Sequence, residues 1–119
     1  MQIVLTSNTV TVITQNVEFI LGDNGGALVE LNLKIGQNGN ILHTLNHNQT
    51  YQGDLTQRLP LQPGSYRCSL LIAAYSGVLG KTYDSFLKID NKNIANARGI
   101  ISAEKDPDYD SAIFQLIVS

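Results

Sequence analysis

Apolar and polar side chains alternate one for one over long stretches of this chain, and that period of two restricts it to β-structure. The segment "ALVELNLKI" (27–35) is the clearest case. Ala27, Val29, Leu31, Leu33 and Ile35 fall on one face of a strand, and Leu28, Glu30, Asn32 and Lys34 on the other. Successive Cβ atoms of a strand point to opposite sides, so such a segment buries one face and wets the other. No segment carries a convincing apolar stripe at helical spacing. In "LQPGSYRCSLLI" (61–72) a Pro63–Gly64 turn leads into a second strand, with Tyr66, Cys68, Leu70 and Ile72 on one face.

The remaining segments follow the same rhythm. "TVTVIT" (9–14) and "NVEFIL" (16–21) are short and rich in β-branched or aromatic residues. Asn38–Gly39 is a strong type I′ signal, so residues 27–45 read as one hairpin. The stretch 46–57 is polar and weakly patterned, which suits a long loop or a poorly packed edge strand. Pro60 favours an edge position. "TYDSFLKID" pairs with "NIANARGIIS" across a tight turn at Asn91–Lys92, and "SAIFQLIVS" is a last strand. That makes about nine strands with turn signals at the spacing of an all-β protein. With 119 residues the chain is expected to be one domain (1–119), an antiparallel two-sheet β-sandwich of jelly-roll or immunoglobulin-like type. A closed barrel is the alternative.

Tyr66-x-Cys68 resembles the Tyr-x-Cys of immunoglobulin domains. Cys68 is the only cysteine and Trp is absent, so the intrachain disulfide and the tryptophan of that family are both missing. Cys68 is then expected to be a small buried hydrophobe, with its neighbour Arg67 on the opposite face.

Charged residues make up 15% of the chain and the formal net charge is −2. That balance argues against nucleic acid or a polybasic membrane surface as the partner. "MQIVLTSNTV" has no basic n-region and too short an apolar run for a signal or a membrane span, so use without Sec-type export and without membrane insertion is expected. Location is otherwise unspecified.

Candidate chemistry is sparse. Asp106, Asp108 and Asp110 sit at alternate positions, as the first ligands of a calcium loop do, but Ser111 and Ile117 stand where an EF-hand needs Gly and Glu. A structural Ca²⁺ is set there against a solvated turn built from Asp and Pro. His43 and His47, if extended, lie about 13 Å apart and do not share a zinc ion. They are expected on the surface or in a loop. "GDNGG" (22–26) lies between strands and lacks the helix that a phosphate cradle needs. No nucleophile elbow is present, and no catalytic set or cofactor is assigned.

Two function classes remain. Tyr51 and Tyr109 stand in polar segments, where a ring can stack on a sugar, giving a carbohydrate-binding module as the alternative. The favoured class is a non-enzymatic structural or interaction module, a homo-oligomer or part of a larger assembly. Several strands carry apolar residues on both faces, as at Leu28/Val29, Leu71/Ile72 and Ile100/Ile101, and outward apolar residues suit face packing or strand addition. Small all-β, Asn- and Gln-rich modules of this style are familiar among viral and phage virion accessories, such as capsid-cementing, tail and attachment proteins. No motif ties the chain to one of them.

Overall fold

The computed structural model describes residues 1–48, 53–75, 80–102 and 107–119. Ten strands follow one another: β1 (Val4–Leu5), β2 (Thr9–Val12), β3 (Asn16–Asp23), β4 (Leu28–Gln37), β5 (Asn40–Asn48), β6 (Leu55–Pro60), β7 (Gly64–Tyr75), β8 (Thr82–Ile89), β9 (Lys92–Ile100) and β10 (Asp108–Val118). They form two five-stranded sheets of order β1-β9-β8-β3-β6 and β2-β10-β7-β4-β5. The sheets pack together as a β-sandwich without a disulfide, as the alternation requires. Among the described residues no helix is long and apolar enough to cross a membrane.

The inner faces follow the period-two pattern residue by residue. On β4 the side chains of Val29, Leu31, Leu33 and Ile35 are buried, and on β7 those of Tyr66, Cys68, Leu70 and Ile72. Leu33 stands directly opposite Leu70 across the β4–β7 ladder, and Ile35 opposite Cys68. Against them, Val17, Phe19 and Leu21 of β3 and Leu87 and Ile89 of β8 line the first sheet. Ser85 and Asp23 are the polar exception at this level. Asp23 Oδ1 accepts the backbone N–H of Asp84 (2.6 Å) and the hydroxyl of Ser85 (3.0 Å), while Oδ2 accepts the Gly25 N–H (3.0 Å). One carboxylate therefore closes the end of β3 and satisfies a buried hydroxyl.

Turn chemistry sets both hairpins. Asn38 and Gly39 have φ of 55° and 79°, the left-handed pair of a type I′ turn. In the β8–β9 hairpin the positive-φ pair is Asp90 (47°) and Asn91 (68°), one residue earlier than Asn91–Lys92. Lys is a poor left-handed residue, whereas Asp and Asn tolerate that region. Asp90 is further held by Glu18, donating its N–H to the Glu18 carbonyl and accepting the Glu18 N–H on Oδ1, both at 2.9 Å.

Three features depart from the plain pattern. The chain crosses between sheets early: β1 pairs with β9 in one sheet and β2 runs parallel to β10 in the other. The Ser7 hydroxyl, bonded to Thr9 on both its N–H and C=O, shapes the crossing. Of the stretch 46–57, expected as a long loop or an edge strand, residues up to Asn48 belong to β5 and those from Leu55 to β6, both edge strands. Third, Ile35 pairs with His43 but Gly36 with Ile41, so Leu42 is an extra residue in β5. That bulge turns the hairpin tip away from the sheet plane. Gly36 is needed there, because a Cβ would press on the Asn40 carbonyl.

Both Leu33 and Leu70 are completely buried. Replacing either with Ala is expected to cost about 2–5 kcal/mol in urea-denaturation midpoints, and either Asp substitution to abolish cooperative folding. Soluble, cooperatively melting Leu33→Asp and Leu70→Asp proteins would mean that the inner face is wrongly placed.

Candidate functional site

The two outer faces of the sandwich differ in chemistry. On the β1-β9-β8-β3-β6 sheet several outward charged groups are paired. Arg58 bonds Glu18 (3.0 Å), Arg98 bonds Asp84 (2.9 Å), and the Lys88 ammonium lies 5.3 Å above the Phe86 ring. Phe86 points outward yet is buried, because its cross-strand neighbour Gly22 leaves room for the ring.

The outer face of the β2-β10-β7-β4-β5 sheet carries aliphatic and aromatic groups instead. Leu28 faces Tyr75, Ala73 lies between Glu30 and Tyr109, and Leu71 lies between Asn32 and Ser111. The next rows are Lys34–Ser69–Ile113 and Gly36–Arg67–Gln115. Leu28, Tyr109 and Ile113 each expose more than half of their surface, at 51%, 62% and 52%. The face thus has two zones. Leu28, Leu71, Tyr75 and Tyr109 occupy one end. At the other, a groove of about 750 Å³ runs between the β4–β5 turn and the outward residues of β7 and β10.

The sheet edges differ as well. β1 is two residues long and β2 four. β6 carries Pro60 and the paired Arg58. β5 is nine residues long, pairs only with β4 among the described residues, and has no Pro, Asp, Glu, Lys or Arg. Short length, proline, charge and bulges are the usual means of blunting an edge, and β5 has only the last, at Leu42 near its hairpin end.

The residues singled out in the sequence take the following places. Asp106 and Tyr51 lie outside the described residues. Asp108 and Asp110 share the inward side at the start of β10, where both hold the first residues of the chain. Asp108 receives the Met1 ammonium on Oδ1 (2.5 Å) and the Tyr83 hydroxyl on Oδ2 (2.9 Å), and Asp110 Oδ2 receives the Ile3 N–H (2.8 Å). Their lone pairs serve protein donors in this geometry, and among the described residues no three His, Cys, Asp or Glu side chains gather into a metal-sized cluster. Tyr109 lies within β10 rather than in a loop and points outward opposite Ala73. His47, expected at the surface, is buried on the inner side of β5 opposite Leu31, and His43 is half-buried opposite Ile35. They sit on one face because the strand stays extended, as alternate Cβ directions demand.

Tyr66 answers the immunoglobulin comparison. Its ring is in the core, and its hydroxyl donates to the Gln62 carbonyl four residues upstream (2.6 Å). This is the geometry of a tyrosine corner, present here without the disulfide. Cys68 is fully buried, and burial pushes its thiol up from 9.0 to about 12, so no thiolate forms near neutrality. Tyr83 is likewise pushed up from 10.0 to about 12, by burial first and then by its hydrogen bond to Asp108 and that carboxylate's charge.

These two groups determine the alkaline stability. The unfolded chain releases their protons from about pH 9 (Cys68) and 10 (Tyr83), while the folded chain retains both until about 12. Their contribution is therefore complete below pH 9 and is lost progressively between pH 9 and 12. Urea midpoints measured from pH 7 to 11 are expected to fall from pH 9 onward. Cys68→Ala should delay that fall to about pH 10, and Tyr83→Phe should flatten its upper part. A pH-independent midpoint to pH 11 contradicts the assignment.

Compared with family models, curated proteins and solved structures, the chain matches none.

Proposed function

We propose that the protein is a non-enzymatic structural module that assembles with further copies of itself through the β2-β10-β7-β4-β5 sheet. The observation that carries this reading is the open edge of β5. Backbone N–H and C=O groups alternate in direction along an edge strand, so one side of β5 keeps a row of them for another chain. Antiparallel pairing of two β5 strands about Thr44 places His43 opposite Leu45 and Leu42 opposite Asn46, with the Leu42 bulge interrupting regular pairing toward Asn40. No acid or base meets its like in that register. The two sheets become one, and the apolar ends of their outer faces, with Leu28, Leu71 and Tyr109, lie on a continuous surface. Such a surface suits contact with a larger body. A role as a virion accessory, such as a capsid-cementing, tail or attachment protein, is consistent with such a surface, and the low charge suits a buried contact.

The carboxylates also support a structural reading. Asp23, Asp108 and Asp110 accept hydrogen bonds from backbone, hydroxyl or ammonium donors, and Glu18 and Asp84 pair with arginines. Each holds one part of the fold against another.

Light scattering over a concentration series tests the proposal. The wild-type chain is expected to give a mass of at least two copies, with the monomer growing on dilution. Thr44→Lys puts like charges opposite each other at the symmetry axis and should weaken association roughly tenfold or more, about 1.4 kcal/mol, without lowering the melting temperature of the monomer. A strictly monomeric wild type, or a Thr44→Lys protein that associates as well as wild type, contradicts assembly through this edge.

A further inference from the structure

We infer that the groove at the hairpin end of the second sheet's outer face is a binding site for an acidic saccharide, a ligand class independent of assembly through β5. Its central feature is a pair of cations. Lys34 stands opposite Ser69 and Arg67 opposite Gly36 on the neighbouring strands β4 and β7. The two are therefore diagonal neighbours on one face, with Cα atoms about 7–8 Å apart. Both line the groove, and no Asp or Glu does. Among the described residues neither forms an ion pair, whereas Arg58 and Arg98 on the opposite sheet each have a carboxylate. Both side chains are solvent-exposed, and an anion lying between them is attracted by both. A carboxylate fits that place. The guanidinium offers it two parallel N–H donors and the ammonium a third.

The rest of the lining distinguishes a sugar from a simple anion or a peptide. Asn8, Asn38, Asn40 and Ser69 line the same groove, and their side chains can each donate and accept. Gln115 donates to the Ser65 hydroxyl (2.5 Å) and Gln37 to the Ser65 carbonyl (3.2 Å), which fixes the floor. Ile41 and Ile113 add aliphatic surface for the C–H face of a pyranose ring. Along β4, β7 and β10 a peptide finds no backbone partners, because these are interior strands whose N–H and C=O groups bond one another, and only the β5 side of the groove, at Asn40 and Ile41, borders an open edge. A polyhydroxylated ring brings its own donors and acceptors and needs only side chains. The volume of about 750 Å³ is within the range of small-molecule sites. The β4–β5 turn residues Gln37–Asn40 supply one side of the groove, and Gly36 keeps the floor open opposite Arg67.

Amide chemical shifts of the ¹⁵N-labelled full chain, followed at low ionic strength, test the assignment. The probes are D-glucuronic, D-galacturonic and N-acetylneuraminic acid, their methyl esters, and acetate and sulfate alone. At least one acid is expected to move the amides of residues 34–41 and 65–69, with its ester at least tenfold weaker. Arg67→Ala and Lys34→Ala should each weaken binding at least tenfold with an unchanged thermal melt, since both side chains are outside the core. Four results overturn the inference: no acid moves those amides, the ester binds as well as its acid, acetate or sulfate saturates the same amides as tightly, or the two variants bind like wild type. Wild-type binding with a monomeric mass, or the reverse, separates this site from assembly through β5.

Discussion

The burial of one face of β4 against β3 and β8 is the constraint on which everything else depends. Val29, Leu31, Leu33 and Ile35 must all point inward, and a one-residue slip would turn all four into solvent. The same condition holds for Cys68, Leu70 and Ile72 on β7. Two strands with fully apolar inner faces are therefore confined to registers of one parity, and the one adopted pairs Leu33 with Leu70. The outer face inherits its pattern from that choice. Lys34 neighbours Arg67, and Leu28 meets Tyr75, because the residues beside them are committed to the core. The outer surface is in this sense a consequence of packing, and variants that leave the inner rows intact can alter it.

Polar groups inside the sandwich act as fasteners. Tyr66 ties the Gln62–Gly64 turn to its strand, Asp23 joins β3 to β8, Asp90 joins the β8–β9 turn to β3, and Asp108 links Tyr83 to the first residue of the chain. Each connects segments that alternation alone would leave unspecified. A buried carboxylate with several donors is costly to disturb, since removing one partner leaves a desolvated charge. In this geometry Asp108 and Asp110 tie the start of β10 to the first residues of the chain.

Much of the fold was legible in the sequence. The inward and outward sets of β4 and β7, the Asn38–Gly39 turn, the edge position signalled by Pro60 and the inert Cys68 all follow from one-dimensional rules. What was not legible depends on pairing between distant segments. Nothing local says that β2 runs parallel to β10, that a two-residue β1 closes the other sheet, or that Leu42 is an extra residue opposite the Ile35–Gly36 step. His47 was misjudged because its polarity was weighed above the strand periodicity, which puts it inward with Leu45. Of the candidate surface, Leu28, Leu71 and Lys34 were identifiable as outward residues and Arg67 as lying opposite Cys68. Their convergence was not, because it depends on the β4–β7 register and on the β4–β5 turn that borders the groove.

Whether the second sheet truly continues into another chain is tested most directly by hydrogen–deuterium exchange at low and high protein concentration. Outward-pointing amides of Asn40–Asn48 should exchange more slowly as concentration rises, while those of the Pro60-bearing edge, Leu55–Pro60, stay unchanged. Equal exchange of β5 at both concentrations, or protection gained at β6 instead, would contradict assembly through the β5 edge.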